Sequence, residues 1–170
     1  FLRELRELCD RHHAALIFDE VQTGVGRTGE LYAYQHYGIT PDLLSTAKAL
    51  GGGFPIGALL AREEMASVMT VGTHGTTYGG NPFVGAAVDT VLKMMERDRI
   101  TEHVKEITPY LEQKLDALVE KYDFLTARRG LGLMQGVVCE KPVGKIASAA
   151  LEHGLVVITA GADVLRFVPP

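Results

Sequence analysis

Apolar residues stand at helical spacing from the first position. Phe1, Leu2, Leu5, Leu8 and Cys9 line one face, with Arg3, Glu4, Arg6 and Glu7 on the other, so residues 1–12 are predicted to form an amphipathic helix. Ala14-Ala15-Leu16-Ile17-Phe18 follows as a continuous apolar run, the pattern of a strand buried on both faces, and it ends in Asp19-Glu20. Leu43 to Thr46, after the Thr40-Pro41-Asp42 turn, and Ile56 to Ala61 are the next two strand candidates, with helical pieces near 31–37 and 62–69. Strands alternating with helices predict an α/β architecture with a mostly parallel sheet.

Beyond Pro82 the pattern changes. Residues 83–98 and 101–122 read as helices, the second with Thr101 as N-cap and a stripe of Val104, Ile107, Leu111, Leu115, Leu118 and Tyr122. Strands are expected at Phe124 to Ala127, Leu131 to Val138, Leu155 to Ile158 and Val164 to Val168. A helix from Pro142 to Glu152 lies among them, closed by Gly154. This predicts residues 1–100 as one domain and 101–170 as a small α+β domain. The chain opens inside a helical pattern and stops at Pro169-Pro170 straight after an apolar run, so both ends are expected to be cut.

Composition narrows the function classes. The 170 residues are 46% hydrophobic and 22% charged, enough apolar material for a real core and too much for a disordered tail. The Ala14–Phe18 run is far too short to span a bilayer, so no membrane association is expected. A net charge of −4 with no Lys/Arg block argues against nucleic acid as a partner. Cys9 and Cys139, the only two thiols, lack CxxC spacing, which points to a reducing, cytoplasmic setting without a disulfide framework.

Two polar groups sit where chemistry is expected: Asp19 after the first strand and Lys48 after the second. In open α/β sheets the carboxyl edge is where ligands bind. An acid and an amine on one edge suit pyridoxal phosphate, the lysine forming the Schiff base and the carboxylate pairing with the pyridine nitrogen. Position alone leaves a plainer reading open, in which Asp19 caps a loop and Lys48 is a solvated cation.

The surrounding residues favour the first reading. Phe18-Asp19-Glu20-Val21-Gln22-Thr23-Gly24 with Gly26-Arg27-Thr28-Gly29 resembles the signature of class III (ornithine-type) aminotransferases. Pro41 to Gly57, containing Ala47-Lys48-Ala49-Leu50-Gly51-Gly52-Gly53-Phe54-Pro55, is similar to that class's lysine segment. His74-Gly75-Thr76-Thr77-Tyr78-Gly79-Gly80-Asn81-Pro82 resembles its third block, and Val164 to Pro170 a fourth, weaker one. The wording of the first two blocks is nearest to acetylornithine and succinylornithine aminotransferases.

The resemblance implies the large domain of the pyridoxal phosphate-dependent transferase fold type I, followed by a truncated small domain. It implies Lys48 as the Schiff-base lysine and proton shuttle, and Asp19 on the pyridine nitrogen. Gln22 is implied near the ring hydroxyl, and Val21 on the ring face opposite the substrate. Thr77, helped by Thr76, is implied to bind the cofactor phosphate of a partner subunit in a homodimer, and Arg166 to clamp the substrate carboxylate. The implied reaction moves the δ-amino group of an N-acylated ornithine to 2-oxoglutarate, in arginine biosynthesis or catabolism, with ornithine or 4-aminobutyrate as alternative amines. The family's N-terminal half, with its phosphate loop and the aromatic ring stacked on the cofactor, has no counterpart in these residues. A catalytically incompetent, oligomeric fragment is therefore the competing expectation.

Other motifs carry less. Gly24-x-Gly26-x-x-Gly29 has the form of a dinucleotide fingerprint, yet Asp19 to Thr23 separate it from its strand and no helix pattern follows. Gly51-Gly52-Gly53 suits close backbone approach or a flexible turn. His12, His13 and His74 lack ligand-spaced companions, so no metal is expected. Arg166 is open to a structural ion-pair role, and Glu20 to ordering its loop or to acting as a second functional acid.

Overall fold

A computed structural model describes residues 1–170, which divide into two units, Phe1–Thr101 and Glu102–Pro170, each with its own sheet. No helix is long and apolar enough to cross a membrane.

The first unit opens with α1 (Leu2–Arg11) and continues with β1 (Ile17–Asp19), a 3₁₀ turn at Ala33–Tyr37, β2 (Leu43–Ala47), a second 3₁₀ turn at Lys48–Gly51 and β3 (Gly57–Ala61). Short α2 (Glu63–Ala66) and the long α3 (Pro82–Arg97) follow. β1 and β2 run parallel, with Ile17 opposite Leu43 and Asp19 opposite Ser45. β3 returns antiparallel, from Leu43 opposite Ala61 to Ala47 opposite Gly57. Of the expected parallel sheet, then, one parallel pairing lies in this chain. The nine-residue link 48–56 is short enough to fold back as a hairpin, and a parallel return needs a longer crossover. β1 is also less covered than its apolar run suggests. Ile17 is exposed, because β1 is an edge strand with no neighbour on its outer side among these residues.

One buried acid joins the elements of this unit at the amino end of the parallel pair. Asp42 Oδ2 accepts from the Leu16 amide at 2.7 Å and from Arg6 Nη1 of α1 at 2.7 Å. Arg62, just past β3, lies 3.6 Å from Oδ1. The Asp42 backbone takes part as well, donating to Leu16 O at 2.8 Å and accepting from Arg62 N at 3.0 Å. Burial pushes the Asp42 carboxyl up, but the Leu16 amide and the Arg6 guanidinium outweigh it and hold the group below its ordinary value.

α3 begins where Asn81 Oδ1 caps the Val84 amide at 3.0 Å and Pro82 takes the first helical position, which suits a residue with no N–H to satisfy.

The second unit carries most of α4 (Ile100–Lys121), then β4 (Leu125–Leu131), β5 (Met134–Cys139), α5 (Gly144–Glu152), β6 (Ile158–Ala160) and β7 (Val164–Phe167). Its sheet is wholly antiparallel in the order β4-β5-β7-β6. Thr101 is not an N-cap: α4 already starts at Ile100, after Arg99 turns the chain at φ +51°. Along the expected stripe, Val104 and Leu115 are buried and Leu111 is half-buried, whereas Ile107, Leu118 and Tyr122 remain exposed. Leu155 to Val157 precede the strand expected there, which forms only at Ile158.

The core of this unit is Cys139, Val143 and Leu165, with Ile146, Ala147 and Phe167 packed against it. Burial pushes the Cys139 thiol up, with the Asp163 carboxylate adding to the effect, so the reactive thiolate is disfavoured. α4 is fastened to the sheet by Arg128, which donates to Asp116 at 2.7 Å and to Glu112 and Gln135 at 3.0 Å each.

Two stability predictions follow from these contacts. Asp42→Asn leaves Arg6 and the Leu16 amide facing a neutral amide and is expected to cost about 2–4 kcal/mol in urea unfolding. Folding lowers the Asp42 pKa, so its contribution is complete above the unfolded value of 3.8 and fades as pH falls through the lower folded value. The gap between wild type and variant should be full at neutral pH and narrow below about pH 4. In the second unit Val143 is wholly buried, and Val143→Ala is expected to cost about 2 kcal/mol, read as faster amide exchange in β5 and β7.

Candidate active site

Asp19 closes β1 and Lys48 directly follows β2, so the parallel pairing delivers an acid and an amine to one sheet edge. Both side chains are exposed. The two are not equally free, because Asp19 Oδ1 accepts from the Val21 amide at 3.0 Å and is thereby oriented back over its own loop. Lys48 is held differently. Its backbone is left-handed, with φ +50°, a conformation that costs a side-chain-bearing residue energy and turns the chain sharply off β2. Such strain persists only where the surroundings impose it. Here the constraint comes from the β2–β3 ladder on one side and the glycine turn on the other. Gly52 has φ +57°, and a Cβ there would meet Val91 Cγ2 of α3 at 2.8 Å, so a larger residue would be strained and would push on α3.

An open concavity of about 590 Å³ is lined by Lys48, Ala49, Gly52, Gly53, Phe54 and Pro55. A second, of about 430 Å³, shares Pro55 and is lined also by Ile56, Gly57, Thr76, Tyr78 and Asn81. The lysine turn and the threonine segment therefore flank the same stretch of chain. Thr76 and Thr77 are both exposed. The Thr76 hydroxyl accepts from the Gly79 amide at 3.2 Å, and Thr77 lines neither concavity. Val21 is half-buried and Gln22 exposed on the loop that leaves Asp19. Arg166 sits half-buried on β7 in the second unit, opposite Gly136 and Ile158.

The loop from Glu20 to Tyr34 is where the structure adds most. Glu20 is buried, and its carboxylate gathers the Thr23 hydroxyl, the Ala33 amide at 3.0 Å and the Tyr34 amide at 2.8 Å. Of the two roles the sequence left open, these contacts favour ordering the loop. Its main chain leaves the sheet with Glu20 N donating to Ser45 O of β2 and then closes a turn with Gly24 N donating to Glu20 O, both at 2.9 Å. Gly24 is forced: a Cβ there would lie 2.7 Å from Glu20 O and 2.8 Å from the Tyr32 ring. Val25 is buried with φ +56°, a marked strain for a β-branched residue. The glycines of the dinucleotide-like motif thus build a closed loop, and the next element is the 3₁₀ turn at Ala33–Tyr37 rather than a phosphate-binding helix. Burial pushes the half-buried Arg27 guanidinium down.

Comparison with known proteins bears on the family. The family model described as aminotransferase class-III matches residues 1–170. A succinylornithine transaminase from Citrobacter koseri is 58% identical over 173 residues, covering 99% of this chain and 43% of that protein. Among solved structures, the N-acetylornithine aminotransferase from Stenotrophomonas maltophilia K279a superposes with a TM-score of 0.83 at 40% identity, over 99% of this chain and 45% of that one. The ornithine aminotransferase of Toxoplasma gondii crystallised with oxidised glutathione, described as having partial occupancy of PLP at its active site, gives a TM-score of 0.90 at 30% identity. It covers 99% of this chain and 41% of its own. The chain spans less than half the length of each of these relatives. With the match running along all 170 residues, this chain belongs to the class-III aminotransferase family.

Proposed function

We propose that this chain carries the lysine-bearing part of a pyridoxal phosphate-dependent aminotransferase acting on an N-acylated ornithine. The observation that carries the reading is the parallel β1/β2 pair, which ends in Asp19 on one strand and leads straight into Lys48 on the other. The donor set suits the cofactor. An amine on a constrained turn and a carboxylate at the neighbouring strand end answer its aldehyde and its ring nitrogen, and the open hydroxyls at Thr76 and Thr77 suit the phosphate of a second such cofactor. Bound at such a site, pyridoxal phosphate supplies an electron sink for the bond broken next to the substrate nitrogen.

The rest is work for this chain's own residues. Lys48 is both the nucleophile and the base whose amine carries a proton between carbon positions. Asp19 keeps a negative charge where a protonated ring nitrogen needs one. Val21 and Gln22 border the ring, and Thr76 and Thr77 bind the phosphate of a partner subunit's cofactor in a homodimer. Arg166 offers a bidentate guanidinium to a substrate carboxylate. On this reading residues 1–100 belong to the cofactor-binding large domain and 101–170 to the small domain. The 58% identity to a succinylornithine transaminase supports an acylornithine as amino donor and 2-oxoglutarate as acceptor, in a cytoplasmic enzyme.

The test uses the complete protein. Borohydride treatment of the cofactor-loaded enzyme should leave a pyridoxyl mass on the peptide containing Lys48. Lys48→Ala should lose transaminase activity by about 10⁴-fold or more, and an unchanged rate would contradict the assignment. Rates on ornithine, N-acetylornithine, N-succinylornithine and 4-aminobutyrate should favour the two acylated amines.

A further inference from the structure

We propose that Glu20 is a positioning residue for the cofactor-facing segment Asp19–Gln22, acting as a clamp that closes the 20–34 loop and thereby sets the direction of the Asp19 carboxylate. The inference rests on the cofactor reading above and goes beyond it, because the Glu20 side chain is engaged within its own loop, by Thr23, Ala33 and Tyr34.

The clamp is visible as a set of bonds converging on one buried side chain. Oε2 takes the Thr23 hydroxyl and the Ala33 amide, and Oε1 takes the Tyr34 amide. These donors lie 3, 13 and 14 residues along the chain, so one carboxylate ties the start of the loop to its end. The main chain of the same residue is fixed on both sides, to Ser45 of β2 and to Gly24. Asp19 precedes it and orients its own carboxylate on the Val21 amide, which follows it. Any change in the path of Glu20 therefore moves the donor that aims Asp19. The loop would not hold this path unaided, since Val25 is strained at φ +56° and Gly24 has no room for a Cβ. A buried carboxylate with three donors supplies the compensation, and supporting residues of this kind usually matter to a site nearly as much as the groups they orient.

Substitution by glutamine separates the clamp from mere volume. The amide keeps the size but offers one acceptor oxygen, and its NH₂ must face a backbone N–H that can only donate. Asp19 would then be less well placed beside a ring cation. Losing that cation removes positive charge near the lysine linkage and raises the pH at which the visible band of the bound cofactor changes.

The experiment titrates pyridoxal phosphate into the complete wild-type, Glu20→Gln, Thr23→Val and Thr23→Ser proteins, following the visible band and its pH midpoint alongside thermal unfolding. Glu20→Gln is expected to bind about tenfold more weakly, with the midpoint raised by about half a unit. Thr23→Val, which removes one donor only, should move both in the same direction by less, about threefold in affinity. Thr23→Ser should restore both. A Glu20→Gln protein with lowered melting temperature but unchanged affinity and midpoint would overturn the proposal. If Glu20→Gln fails to fold, wild-type values for Thr23→Val would overturn it equally. A wild-type protein that develops no band sinks the cofactor reading and this inference with it, an outcome distinct from a variant that matches a normal wild type.

Discussion

A carboxylate buried at Asp42 is tolerable only with a full set of donors, and the first unit is arranged to provide them. Arg6 comes from α1, the Leu16 amide from the start of β1 and Arg62 from the end of β3, so satisfying one acid draws together four segments far apart in sequence. The register of β1 against β2 follows at once, because Asp42 and Leu43 both bond to Leu16 O. Once Ile17 faces Leu43, the strand ends are determined, and Asp19 and Lys48 emerge on the same edge.

Glu20 performs the corresponding task at the opposite end of the pair. Asp42 secures where the strands begin, and Glu20 secures what happens as the chain leaves them. Val25, on the Glu20 loop, and Lys48, held between the β2–β3 ladder and the glycine turn, are both side-chain-bearing residues in left-handed backbone. Strain of this kind, of order 1–3 kcal/mol per residue, survives only in an over-determined setting. At Lys48 it turns the chain sharply off β2. The second unit repeats the device with opposite charge: Arg128 is held between Asp116, Glu112 and Gln135, and joins α4 to β4 and β5.

The strand ends bearing Asp19 and Lys48 were legible in the sequence because an apolar run stopping at a polar residue is a local signal, and the motif wording around them identified the family. Most elements were legible for the same reason, each within a few residues of its place. What sequence reading missed depends on partners remote along the chain. Asp42 looked like a turn residue after Pro41, since its donors lie 20 to 36 residues away. Glu20 was left between two roles because the amides it collects are 13 and 14 residues downstream. The exposure of Ile17 and the reversal of β3 depend on which neighbours a strand has, and periodicity does not report that. Thr101 carried the right side chain for an N-cap, but the left-handed Arg99 starts the helix earlier. An acid directly following Asp19 and another directly preceding a strand were the signals available for Glu20 and Asp42.

A clamped parallel strand pair that presents Asp19 and Lys48 to one cofactor would have a direct structural signature. A crystal structure of the complete protein with pyridoxal phosphate tests it most directly. Density should run continuously from Lys48 Nζ into the cofactor, with the Asp19 carboxylate at hydrogen-bond distance from the ring nitrogen and the Glu20 bonds intact. A cofactor bound away from Lys48, or an Asp19 carboxylate that contacts only the Val21 amide, would contradict it.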